Sequence, residues 1–444
     1  NYRAQGQFRW QNAAGYTGYD VADFLVGKLE RLVQGVGEFK TTRFQIVSLF
    51  ANDSMKVSRR LTLNLGVRWE PFFPNTDTLG RLATWGGYNA KSTRFVNAPP
   101  GILYPGDPGI PDGGYPAMWS NFGPRIGLAY DFTGDGKTSL RVGYGIFYDR
   151  LNTLQTNSAA TQAPFGTLVE QYQGPNDSLA NPYGSFPGGN PFRVVGFDAV
   201  GTEALNPGKD APFALPMVAF LYAPDLRNPY IQSWNLTLER QLGAGWVGRA
   251  SYAGSKGTAL VSGRDFNAPA PDPKATTATT NQRRPLYPNY AAITMVEPAG
   301  LSIYHSMQLT GERRFSQGFT VLANYTFAKT IDNNWGSGNK GNASSVTDPR
   351  NQRFDRGPAD FDLRHVFNLS GVWELPVKFQ SRPAQFLMGG WSMTSIVAWF
   401  SGFPFTVLSG QDNARTGQSN QRADMIADPY IAGDRDHGAS AVQY

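Results

Sequence analysis

The residues able to do chemistry are few, and their spacing is poor. Gly136-Lys137-Thr138 ends like a phosphate-binding loop, in which backbone N–H groups and a lysine cradle phosphates. The glycine that should lead such a loop is Asp131, and 134–137 reads as a hairpin turn. Gly143 and Gly145 lack the third glycine of a dinucleotide fingerprint, where Tyr148 stands. Glycine inside that strand pattern lets strands bend or large neighbours pack. The three histidines, His305, His365 and His437, have no metal-ligand spacing. Asp332, Asp348, Asp355, Asp360 and Asp362 gather acidic charge, but no calcium-loop spacing is met, and solvated loop carboxylates are the better reading. No Gly-x-Ser-x-Gly elbow occurs and cysteine is absent, which excludes thiol catalysis and disulfide frameworks. The expectation is a protein that is not an enzyme and has no cofactor and no metal.

The composition points to strands. Charged residues make up 17% of 444, below the roughly 25% of an average soluble domain. Aromatics reach 13%, with 50 Gly and 31 Pro, which excludes a coiled coil or helical bundle. The net charge of +6 is scattered rather than drawn into one stripe, so no nucleic-acid partner is expected. No apolar run is long enough for a membrane helix, but barrel strands alternate and escape that test.

Alternation is the dominant signal. Leu61, Leu63, Leu65, Val67 and Trp69 oppose Thr62, Asn64, Gly66, Arg68 and Glu70. Leu140, Val142, Tyr144, Ile146 and Tyr148 oppose Arg141, Gly143, Gly145 and Asp149. Trp234, Leu236 and Leu238 oppose Ser233, Asn235, Thr237 and Glu239. Phe319, Val321, Ala323, Tyr325 and Phe327 oppose Thr320, Asn324 and Thr326, and Phe367, Leu369, Trp373 and Leu375 oppose Asn368, Ser370 and Glu374. Side chains on a strand alternate in direction, so each stretch of about ten residues divides an apolar from a polar environment.

Connections between these strands alternate in length. Short turns at 58–60, 134–137, 243–245 and 316–318 close hairpins near 42–72, 122–149, 230–258 and 302–332, and a longer turn closes 360–408. Between them lie long segments at 73–121, 150–229, 259–301 and 333–358, with another at 409–444. Structureless segments of that size argue against an ordinary compact domain, whereas outer-membrane barrels pair short periplasmic turns with long extracellular loops. A soluble β-sandwich also alternates, and the loop asymmetry weighs against it. The fold expected is an all-β, antiparallel, up-and-down transmembrane barrel over residues 1–444. Ten strands are clear, with a partial eleventh near 3–11 and a short helical element at 18–27. Leu63, Leu65, Trp69, Tyr144, Tyr148, Trp234, Leu236, Tyr325, Phe367, Trp373 and Trp399 are expected to face lipid or form interfacial girdles.

The chain resembles TonB-dependent outer-membrane receptors, in particular the Oar-like group abundant in Acidobacteria. The likeness is carried by Tyr19–Gly27 (YDVADFLVG), by Leu49–Val57 (LFANDSMKV) leading into Leu61–Pro71 (LTLNLGVRWEP), and by Asn121–Tyr130 (NFGPRIGLAY). It continues through Gly136–Asp149 (GKTSLRVGYGIFYD), Asn228–Leu242 (NPYIQSWNLTLERQL) and Tyr252–Gly257 (YAGSKG). Phe319–Asp332 (FTVLANYTFAKTID), Arg356–His365 (RGPADFDLRH), Gly389–Trp391 (GGW) and Ser401–Phe405 (SGFPF) complete it. The resemblance implies localisation in the bacterial outer membrane and uptake of a scarce large solute captured by loops and plug. It also implies contact with outer-membrane lipid, and a TonB complex engaged through an N-terminal region. The family's regulatory domain, TonB box and plug are not matched here, so an internal barrel segment of about half the strands is expected. Alternatives are a plain porin, or a structural or adhesive protein that uses the barrel as an anchor. In 150–229, Phe165, Tyr172, Tyr183, Phe186, Phe192 and Phe197 offer stacking surface for sugar or peptide, although packing within the loop itself is the preferred reading.

Overall fold

A computed structural model describes residues 7–10, 17–36, 41–151, 156, 159–160, 162–172, 177–190, 207–316, 318–333, 346–377, 380–418 and 421–424. Ten antiparallel strands form one wall: β1 (Leu49–Lys56), β2 (Leu61–Trp69), β3 (Phe122–Asp131), β4 (Thr138–Tyr148), β5 (Tyr230–Gly243), β6 (Trp246–Asp265), β7 (Tyr290–Ser316), β8 (Phe319–Asp332), β9 (His365–Glu374) and β10 (Ser392–Phe400). Each pairs with the next in sequence, so the wall is a meander. The sheet is open, with β1 and β10 at its edges. A meander puts alternate connections at opposite ends. The turns after β1, β3, β5, β7 and β9 therefore share one rim, and the long segments after β2, β4, β6 and β8 share the other.

Local chemistry closes the turns. Between β3 and β4 the Asp131 carboxylate accepts hydrogen bonds from the Gly134 and Gly136 amides at 2.8 and 3.0 Å. Both glycines hold positive φ, 78° and 76°, a region open to glycine at no steric cost. The residue that breaks the phosphate-loop pattern is thus the acceptor that satisfies this turn. Between β1 and β2, Ser58 Oγ accepts from the amides of Arg60 and Leu61.

The long-loop rim carries a packed cap. β6 and β7 run on beyond the wall, through register shifts at 257–262, and stay paired up to Asp265 and Thr294. At this junction Ala259 has φ 55°, and Gly300 approaches Leu260 so closely that a Cβ there would fall 2.8 Å from the Leu260 backbone oxygen. A strand at Met217–Tyr222 lies parallel to the start of β7, and the short strands Thr84–Trp85 and Ile102–Leu103 pair beside it. Around them Trp85, Phe95, Ile102, Tyr104, Phe165, Leu221 and Ile293 form one buried cluster, and Phe72, Leu82, Tyr115, Leu151, Tyr222 and Val296 a second. Described parts of the segments expected as structureless at 73–121, 150–229 and 259–301 therefore contribute to a packed core. These strands are apolar on both faces and show no alternation to betray them.

The strand expected near 3–11 is corrected too. Its described part, Gln7–Arg9, does not join the wall but pairs with Arg31–Val36, which in turn pairs with Thr167–Tyr172. The short helical element is present as a helix over Asp20–Leu25. Residues 425–444, with His437, and residues 334–345 lie outside the described residues.

Candidate functional site

The wall has two chemically distinct faces, and register shows how they are made. On one face Leu65 pairs with Ile126, Ile126 with Tyr144, and Tyr144 with Trp234. Leu236 lies beside Val142 and Tyr252, Tyr148 beside Tyr230, and Tyr325 beside Phe367, which is next to Trp399. Leu63 continues the same row on β2, and Trp373 on β9 pairs with Phe319. The register places the eleven residues expected to face lipid or form girdles in this row. The Trp234 ring fills the space left by Gly254, where a Cβ would lie 2.5 Å from the indole. Aromatics gather at both strand ends. Trp69, Phe122, Tyr148 and Tyr230 stand at the cap rim, and Trp246, Phe319 and Trp373 at the tight-turn rim.

The opposite face is polar. Glu239 lies between Arg249 at 2.7 Å and Arg141 at 3.9 Å. Thr237 donates to Ser251, and Thr310 donates to Asn324 Oδ1. Asn235 lies over Gly143, whose added Cβ would meet its Oδ1 at 2.9 Å, and Asn64 packs on Gly127. The strand glycines thus make room for amide side chains.

Above the wall, buried charges pin the cap. Arg81 and Asp77 form a bidentate pair at 2.8 and 2.7 Å, both side chains almost wholly buried. The Asp107 carboxylate accepts from the amides of Thr93, Arg94 and Tyr104 and from the Ser92 hydroxyl. Arg94 bridges to the first site by donating to the carbonyls of Leu79 and Gly80, as well as to Pro105. Burial opposes ionisation of Asp77, but Arg81, together with the Leu79 amide and the Thr41 hydroxyl, outweighs it and holds the carboxyl below its ordinary range. Burial likewise works against Asp107, and four hydrogen bonds reverse it. Burial pushes the Tyr104 hydroxyl well above its usual value, and that hydroxyl donates to the Ala163 carbonyl. A second buried pair, Arg284 with Asp265 at 2.6 Å, ties 266–289 to the strand extensions. Sequence reading passed over these residues. The only signal was the i, i+4 spacing of Asp77 and Arg81, which is common on solvated surfaces.

An all-antiparallel meander with one apolar and one polar face, asymmetric rims and aromatic ends has the build of a barrel wall. A family model described as an outer membrane beta barrel domain matches residues 1–443. The chain belongs to that family. This outer-membrane barrel protein also aligns with solved structures at low similarity. One is the outer membrane transporter YddB from Escherichia coli, at 13% identity over 86% of this chain and 35% of that one, TM-score 0.44. Another is the alcaligin outer membrane receptor FauA from Bordetella pertussis, at 12% over 85% and 39%, TM-score 0.36. A third is the ferripyoverdine receptor of Pseudomonas aeruginosa, at 11% over 80% and 28%, TM-score 0.34. The chain spans roughly a third of the length of these structures. No curated protein matches it.

The acidic group of this barrel protein is dispersed into separate contacts. Asp355 pairs with Arg422 at 3.0 Å, Asp362 with Lys329 at 2.8 Å, and Asp348 with Arg350 at 3.2 Å. Among the described residues no three His, Asp or Glu side chains converge as a metal site requires. Of the aromatics in 150–229, Phe165, Tyr183 and Phe186 are buried, and Phe192 and Phe197 lie outside the described residues.

Proposed function

We propose that this chain is the barrel part of an outer-membrane receptor of the TonB-dependent kind, one that captures a large solute at its cap rim and admits it along the polar face. The observation that carries the reading is the wall itself. One face is mostly apolar, the other holds Arg141, Asn235, Glu239, Arg249, Asn324 and Glu374, and the connections after β2, β4, β6 and β8 share one rim. In this reading the apolar face meets lipid, the polar face meets a plug or water, and the cap rim is extracellular. The Oar-like sequence stretches support the subgroup. The burial of Phe165, Tyr183 and Phe186 moves the capture surface away from these rings to the outside of the cap, and gives some weight to a second reading, a loop-displaying surface anchor.

The test uses the full-length gene product in its own outer membrane. In-cell cross-linking to TonB, with no sucrose leak from liposomes containing the purified protein, is the expected result. Free passage of sucrose without any TonB cross-link would overturn the proposal in favour of a porin. Neither passage nor cross-link would overturn it in favour of an anchor.

A further inference from the structure

The apolar face is not uniformly filled. Near the tight-turn rim, Gly248 and Ala250 on β6, Gly311 on β7 and Ala323 on β8 are neighbours across the register. They floor a groove of about 480 Å³ between Leu238 and Leu242 on one side and Tyr325 and Phe367 on the other. Among the described residues nothing lies within 4 Å of the position a Cβ would take on Gly311, so the floor there is open space rather than tight packing.

The tight-turn end of this groove is cationic. Arg240 lines it directly. Arg313 follows Gly311 by two residues on the same strand face, with its guanidinium 6.0 Å from the Trp246 ring centre and 5.2 Å from that of Phe319. Its Nε is buried and has no hydrogen-bond partner among the described residues. Arg141 and Arg249 on the polar face behave differently, since both pair with Glu239. Two arginines at interfacial depth complement an anion whose hydrocarbon continues into the groove.

We propose that the groove is a site for one anionic glycerophospholipid of the periplasmic leaflet, its phosphate held by Arg240 and Arg313 and one acyl chain lying over Gly248, Ala250, Gly311 and Ala323. This goes beyond the transport reading and rests only on its orientation, with the tight-turn rim periplasmic. Free phosphate lacks the apolar part that the groove accommodates. Lipopolysaccharide belongs to the other leaflet and would seat at the cap rim.

Native mass spectrometry of the full-length protein released from nanodiscs holding equal phosphatidylglycerol and phosphatidylcholine tests the proposal. One phosphatidylglycerol should remain bound, preferred by about fivefold for each arginine. Arg240→Gln with Arg313→Gln should bring that preference close to unity. Gly311→Leu, which fits without a backbone clash, should remove the retained lipid while heat-modifiable gel mobility shows the barrel still folded. Equal retention of the two lipids, or retention unchanged in Gly311→Leu, would overturn the site. So would displacement of phosphatidylglycerol by lipopolysaccharide. A wrong orientation would show independently, as labelling of a cysteine placed at Asp135 in intact cells.

Discussion

The wall and the cap are built from similar residues by opposite rules. In the wall one face is mostly apolar, with Asp53, Arg240 and Arg313 among its exceptions, most polar groups stand on the other face, and charged pairs such as Glu239 with Arg249 stay partly exposed. In the cap the strands Met217–Tyr222 and the start of β7 are apolar on both sides, and charges are buried in pairs. The wall must separate two media and so is stabilised face by face. The cap has no membrane to fill its gaps and must close-pack like a soluble core. A substitution of the same chemical kind should therefore have different consequences in the two regions.

The largest difference is expected at the buried pairs. Arg81→Ala leaves the buried Asp77 carboxylate without its cation, held only by the Leu79 amide and the Thr41 hydroxyl, and should cost the cap about 3–5 kcal/mol. Limited proteolysis should then cut within 73–121 while heat-modifiable mobility of the wall is kept. Equal loss of both would show that cap and wall fold as one unit. Leu221→Ala, in the cap cluster, should cost about 2–5 kcal/mol by cavity formation, read as a lower denaturant midpoint for cap proteolysis. On the wall, Leu236→Arg should cost about 2–4 kcal/mol in a folding titration in lipid, and the adjacent Asn235→Lys far less. Similar costs for the two would refute a lipid-facing assignment of that row.

Acid should separate the regions again. Asp77 and Asp107 ionise below the ordinary carboxylate range. Their stabilisation is therefore complete above the unfolded value of about 3.9 and fades as pH falls through the lower folded values. Pepsin should reach the cap near pH 2 but not near pH 5, with the wall intact at both. The smallest effect is expected on the polar face. Arg249→Gln removes a half-exposed ion pair and should change stability by about 0–1 kcal/mol.

How much of each region could be read from sequence follows from the same contrast. Leu61 to Trp69 announces a strand because its two faces meet different environments, and the turn at 134–137 is legible from its Asp and Gly residues. Tyr290 to Val296 and Met217 to Tyr222 give no such sign. A strand buried on both faces has no reason to alternate, and within a Gly- and Pro-rich stretch a short apolar run reads as loop. The stretch near 3–11 reads as a further wall strand because so short a pattern cannot choose its partner, and Gln7–Arg9 pairs with Arg31–Val36 instead. The buried charges were hidden because burial is a tertiary property. Neither Asp107 nor Arg94 differs in local sequence from a solvated neighbour.

The continuity of β6 and β7 has a mechanical consequence. These two strands belong to wall and cap alike, and their bulges near Ala259 bend the ladder without ending it. The cap therefore has no hinge at that root and cannot swing away like a door. Access past it depends on its edges, where segments such as 266–289 are pinned by side chains rather than by a shared ladder. A mutation at Arg284 should loosen that edge as a latch is loosened, with the mast beneath it still upright.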